Sequence, residues 1–266
     1  MNQRLGYRAG AGRWCTGRYR FADTVRVEAV ACPGRAPAEQ SGQCSRCAGQ
    51  DDFRFAHHIH QGGHVPEALR RYVNQPHWLY LATFADGTTK VGTAAEPRKR
   101  SRLDEQGAIF ATYLAKANDG RAVRHLEEAL SHRIGVPQTV RAAAKLRALA
   151  DMRDLSTARV AHERIVAHAA ETLTDMNVTA ALEAWVPPDE GERLRAPANE
   201  RALYPHDPRE GEHGFTALAC IGSHILAAFS ADESIAYLLD LGVLKGRRIV
   251  LGSFNSPGTA VQSPLF

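Results

Sequence analysis

The residues with the plainest chemical potential are cysteines, and they are unevenly placed. Cys15, Cys32, Cys44 and Cys47 crowd the first fifth of a 266-residue chain, while Cys220 stands alone far downstream. A disulfide framework is not expected in a reducing compartment. The spacing C-x16-C-x11-C-x2-C therefore reads as four thiolates around one tetrahedral, structural Zn2+. Two other readings stay open: unligated buried thiols, or a site that borrows a histidine from His57, His58, His60 and His64. Those histidines flank Gly62-Gly63 and read as a linker or metal-site edge rather than a catalytic cluster. Cys220, in the apolar run TALACIG, reads as a small core residue. No GxSxG, HExxH, GxxxxGK(S/T) or GxGxxG pattern occurs, so triad hydrolase, zincin and phosphate-loop chemistries have no motif to rest on.

Composition narrows the setting. The apolar fraction is 44% and the charged fraction 23%, near the averages for globular domains, which excludes a collagenous, coiled-coil or wholly disordered chain. No stretch approaches the ~18 consecutive apolar residues of a membrane span, and MNQRLGYRAGAGRW lacks the apolar run of a signal peptide. The expectation is a cytoplasmic protein without a membrane partner. A net charge of +4 permits nucleic-acid binding without diagnosing it. Only five of the 33 basic residues are lysines, so an isolated arginine carries little weight here.

The elements that must position such residues change texture along the chain. Residues 1–66 are rich in Gly, Arg and Gln and poor in large aliphatics, so a metal staple would have to hold them. From His77 the run WLYLATF, the turn signal Asp86-Gly87 and the return Thr88 to Thr93 predict a β-hairpin. Pro97 to Glu105 predicts a short charged helix, Ala108 to Leu114 a third strand, and Arg121 to Ile134 a helix with Val123, Leu126, Leu130 and Ile134 on one face. The order is ββαβα. Thr139 to Ala150 and Ser156 to Leu173 read as a helix pair, and 186–214, with its prolines, as an irregular connection. Four short apolar runs between Phe215 and Leu251 predict a small antiparallel sheet, and the Ser/Pro/Gly-rich tail from Ser253 a loosely ordered end.

The central sequences YLATFADGTTKVGTA, RLDEQGA and RHLEEAL resemble the GIY-YIG superfamily. With the upstream C-x2-C and the glycine-punctuated end, the chain is similar to the domain of unknown function 2797 family. The resemblance implies an α+β fold. A zinc-ribbon-like module would fill 1–66, a GIY-YIG-like ββαβα core 67–136, a helical extension 137–185, and a linker with a small antiparallel β module 186–266. It also implies a catalytic set: Tyr80 beside the attacking water, Arg102 on the scissile phosphate, and Glu127 holding a catalytic Mg2+ or Mn2+. Gly92 matches the glycine of the second motif, and Lys90 stands where that motif has tyrosine. Arg98, Arg100 and Gln106 would complete substrate binding. No counterpart of the asparagine found downstream in many such nucleases is present.

The implied activity is that of a metal-dependent nuclease or other phosphodiester hydrolase acting on DNA or RNA. One alternative is a non-nuclease enzyme that uses the same pocket on a small or nucleotide-like substrate, with Lys90 as base or cation. Another is a catalytically degenerate, zinc-containing nucleic-acid-binding module. The residues also admit bland roles. Tyr80 alternates with Leu79 and Leu81 and could pack on a sheet face, the basic run from Arg98 could be a solvated helix face, and Glu127 could pair with Arg124 within its helix.

Overall fold

A computed structural model describes residues 2–23, 25–39, 42–56, 66–152, 154–197, 201–229 and 236–257 of the chain, and shows a mixed α+β protein with several sheets. His57, His58, His60 and His64 lie outside the described residues.

The N-terminal part comprises β1 (Gln3–Ala9), a β2–β3 hairpin (Arg18–Phe21, Val27–Val30), and the short helices α1 (Ser45–Gly49), α2 (Phe53–Ala56) and α3 (Glu67–Val73). It is less core-poor than its composition suggests. Phe21, Leu69 and Val73 are buried together, with Phe53 and Tyr72 against them. This cluster spans the expected boundary at 66/67, because α3 lays its apolar face on Phe21.

The central sheet has the order β5-β4-β6-β7, all antiparallel, from β4 (His77–Thr83), β5 (Thr89–Ala95), β6 (Phe110–Ala117) and β7 (Glu183–Ala184). Gly87, at φ +83°, supplies the left-handed residue of the β4–β5 turn, and Asp86 Oδ1 accepts from the Thr88 amide at 2.9 Å. A 3-10 turn (Glu96–Arg98) and α4 (Lys99–Asp104) lead to β6. Next comes α5 (Gly120–Ile134), capped by Asp119, whose carboxylate accepts from Arg121 and Ala122 at 2.8 Å, and ended by left-handed Gly135. Then come α6 (Ala142–Asp151) and α7 (Ser156–Asp175).

Strand β4 is covered on both faces. Leu79 and Leu81 pack with Val123 and Leu130 of α5 and Leu173 of α7, whereas Tyr80 and Ala82 pack with Leu103 of α4, Tyr113 and Trp185. One polar crossing fixes α7 to the sheet: His162 is hydrogen-bonded through Nδ1 to the Thr83 hydroxyl and through Nε2 to the Thr112 hydroxyl, both at 2.8 Å.

After α8 (Glu192–Arg195) come β8 (Arg201–Leu203), β9 (Gly211–Ile221), β10 (His224–Ala228), β11 (Ala236–Asp240) and β12 (Ile249–Leu251). The expected small antiparallel sheet is larger and mixed. Its order is β12-β1-β9-β10-β11-β8, with β8 parallel to β11. It contains β1, which the sequence reading placed in the cysteine module; Tyr7 faces His213 and Leu251 in register. The first part of the tail is held on this sheet, since Ser256 Oγ bridges the Tyr204 hydroxyl and the Gly214 amide at 3.1 Å. Among the described residues, no helix is long and apolar enough to cross a membrane.

Candidate functional site

Two constellations stand out, and the first is the cysteine cluster. Cys44 is the N-cap of α1 and Cys47 lies in its first turn, so the C-x2-C pair shares one side of the helix start. Cys15 and Cys32 approach from two loops, tied by the Cys15 amide to Ala36 O at 2.9 Å and the Arg35 amide to Cys32 O at 3.2 Å. The four sulfurs lie within 4.8 Å of one another. Cys32 and Cys44 Sγ are 3.9 Å apart, far beyond the ~2.05 Å of a disulfide and close to the ~3.8 Å edge of a tetrahedron with ~2.3 Å metal–sulfur bonds. The amides of Gly17 and Cys44 donate to Cys15 Sγ at 3.4 and 3.2 Å, a polarity that suits a thiolate. Burial pushes the Cys47 thiol up to about 12, whereas the Ala36 amide helps hold Cys32 at about 7. The donor set can hold a metal ion such as zinc, and a dication would offset the charge that four crowded thiolates bring together.

The second constellation is a cleft of about 270 Å³ between the N-terminal part and the central sheet. Phe53, Tyr72 and Val73 form one wall, and Thr93 with Arg98, Arg102 and Arg124 the other. His77 also lines it. Its Nδ1 is 2.8 Å from Gln75 O, and burial depresses its protonation.

Tyr80 is fully buried and does not line the cleft; its hydroxyl makes no hydrogen bond of good geometry, and Arg102 is the side chain that acts on it most strongly. Burial raises its pKa. The charges of Arg102 and Arg124 act in the opposite sense, and that of Glu127 adds to the rise. Tyr80 pairs in register with Gly92, where a Cβ would lie 2.5 Å from the tyrosine hydroxyl, so only glycine lets the ring cross β5. Lys90, two residues earlier on the same face, is also buried, with Nζ 5.7 Å from the Tyr80 ring centroid. Burial first, then Arg102 and Lys145, bring it down to about 8, against the opposing pull of Glu127. Glu127 is 3% exposed, and its Oε2 is 2.6 Å from Arg124 Nη1.

The structure thus brings Tyr80, Lys90, Gly92, Arg102 and Glu127 into one electrostatic neighbourhood, with Arg98 on the cleft wall. Arg100 does not join them; it is exposed and outside the cleft, because α4 is short and turns that side chain to solvent. Gln106 does not line the cleft either. Its carbonyl accepts from Lys145 Nζ at 2.8 Å, so it anchors α6. Tyr80, Lys90 and Glu127 are buried and do not line the cleft, whose wall is formed by the arginines. Phe53, Tyr72 and His77 were not foreseen as site residues. Arg124, foreseen only as an ion-pair partner, is a wall residue, as its spacing of three from Glu127 on a helix allows.

Among the described residues, the only close group of three or more His, Cys, Asp or Glu side chains is the cysteine cluster. Glu127 belongs to no such group and its Oε2 is already held by Arg124, so a divalent cation there would depend on water and substrate oxygens.

Residues 30–193 match the model of a protein family described as Protein of unknown function (DUF2797). No curated protein and no solved structure matches the chain.

Proposed function

The chain belongs to the DUF2797 family, a family whose function is unknown, and on that premise we propose that it is a metal-dependent phosphodiester hydrolase of GIY-YIG type that acts on nucleic acid. Cys15, Cys32, Cys44 and Cys47 hold a structural zinc that keeps the aromatic wall of the cleft in place. The observation that carries this reading is the arginine wall of the cleft, Arg98, Arg102 and Arg124, with buried Tyr80, Lys90 and Glu127 within the electrostatic reach of Arg102 or Arg124.

Arg98 and Arg102 bind the non-bridging oxygens of a phosphate entering the cleft, and Arg102 offsets the charge that develops there. The Tyr80 hydroxyl, buried and kept neutral, acts from behind the cleft wall, where it helps set the position of the Arg102 guanidinium. Lys90, at about 8, can give up or take a proton near neutrality from below the Tyr80 ring. Arg124 Nη1 donates to Glu127 Oε2 at 2.6 Å and orients that carboxylate. Glu127 would be the protein ligand of a Mg2+ or Mn2+, and the chemistry such an ion would supply is Lewis-acid polarisation.

The test is a metal-supplemented cleavage assay on single-stranded, duplex and branched DNA and on RNA, with Glu127→Ala alongside. Cleavage by the parent, lost in the variant while affinity is kept, is the expected result. No cleavage of any polynucleotide with any divalent metal sinks the reading.

One observation favours a second reading. The buried Lys90 in place of the tyrosine of the second motif suits a small, nucleotide-like anion. Activity on such a compound, destroyed by Lys90→Tyr in a protein that cuts no polynucleotide, would establish it.

A further inference from the structure

A second cavity of about 400 Å³ adjoins the cleft, lined by Tyr19, Val25, Val27, Phe53 and Arg98. Phe53 and Arg98 line both cavities, so the two adjoin, one walled by Arg102 and Arg124 and the other by the β2–β3 hairpin. Among the described residues, no carboxylate lines either cavity; the charged side chains that do are Arg98, Arg102 and Arg124, of which Arg98 pairs with Glu105 at 2.7 Å and Arg124 with Glu127 at 2.6 Å from outside the lining.

The aromatic residues of the second cavity are built in place. Tyr19 is 36% exposed and meets Phe53 edge to face, with centroids 5.6 Å apart and planes at 83°, which makes a corner of two ring faces. One carboxylate sets both backbones: Asp51 Oδ2 accepts from the Tyr19 amide at 3.0 Å, and Asp51 Oδ1 from the Phe53 amide at 2.9 Å. Gln43, next to Cys44, donates to the same Oδ2 at 2.6 Å. The corner is thus anchored from the cysteine cluster outward.

We propose that the cleft and the adjoining cavity together bind a single-stranded polynucleotide, with an unpaired base seated against Tyr19 and Phe53 while the neighbouring phosphate lies on Arg98 and Arg102. This rests on the phosphodiester reading above and narrows its substrate class. An unpaired base has two free faces to offer an aromatic side chain, and alternating ring and cation contacts are how sequence-tolerant single-strand grooves work. A duplex keeps its bases stacked on each other, so it can offer phosphates to the arginines but no base face to the corner. A mononucleotide would fill the cleft and leave the second cavity unused.

The test is fluorescence anisotropy on the full chain at one fixed salt concentration, without added divalent metal. Its probes are a labelled oligothymidylate, the matching oligouridylate and a blunt duplex of equal length, with thymidine monophosphate as competitor. The single strands should bind about tenfold or more tighter than the duplex, and Tyr19→Ala should lose about tenfold, whereas Tyr19→Phe should bind like the parent. A fluorescent purine analogue placed within the strand should be quenched on binding, a readout that needs no variant. Equal affinity for duplex and single strand, or Tyr19→Ala binding like the parent, overturns the proposal. Because binding is read without turnover, the two readings fail separately. Duplex cleavage without single-strand preference would overturn this proposal alone, and Tyr19-dependent single-strand binding without cleavage would overturn the hydrolase reading alone.

Discussion

Tyr80 and Gly92 face each other across the β4–β5 pairing, and the tyrosine hydroxyl occupies the space that a side chain at 92 would need. The ring is fully buried, so it cannot swing aside to make room. Gly92→Ala should therefore cost about 1–3 kcal/mol through overpacking, read by urea unfolding. It should also displace Tyr80, and so lower cleavage far more than it lowers nucleic-acid binding. An Ala variant as stable as the parent would mean that the ring has another place to go.

Metal analysis of protein with reduced thiols should give one zinc per chain. Cys47→Ser should lose the metal and speed amide exchange around Tyr19, Asp51 and Phe53, because Asp51 carries the aromatic corner from the cysteine cluster. Amides of β4 and β6 should stay protected, since their core of Leu79, Leu81 and Leu114 is separate. Metal-free protein with an unchanged exchange pattern would remove the structural role.

His162 makes stability sensitive to acid. Burial lowers its pKa from 6.5 to about 4, and both ring nitrogens are engaged by threonine hydroxyls. The unfolded chain therefore binds the proton first as pH falls. The contribution is full above 6.5 and is lost as pH drops towards 4, a change of order 2 kcal/mol. His162→Gln should be less stable than the parent at pH 7 and show a flatter fall across that window in urea titrations.

Lys90 acts at the other end of the scale. Its pKa lies at about 8 against 10.5 in the unfolded chain, so below 8 the fold bears a buried charge that both states hold protonated. Stability from this group rises as pH climbs from about 8 to 10.5. Lys90→Met should raise stability at neutral pH and flatten that rise, though not abolish it, because Lys145 is depressed to about 8 as well. An unchanged slope would mean that Lys90 is solvated.

Local signals were legible where a pattern and its consequence lie close together. Asp86-Gly87 marks its own hairpin, Asp119 caps the helix whose apolar stripe follows it, and the cysteine spacing announces a cluster. The site was legible only in part. α4 has six residues, too few for its apolar pattern to settle which of Arg98, Arg100 and Arg102 turns inward. Phe53, Tyr72 and His77 reach the cleft through the packing of separate segments, which leaves no spacing to read. Gln106 was misread because its partner, Lys145, arrives from a helix 39 residues on.

The seating of β1 between β9 and β12 bears on how the protein is made. Arg8 pairs with Glu212 across 204 residues, so β1 has no sheet neighbour until β9 has emerged. During synthesis the cysteine segment and the central sheet can form while the leading strand waits as an unpaired ribbon edge. The six-stranded sheet then closes over it only after β9 and β12 have been made, so β1 becomes native later than the central sheet that follows it in sequence.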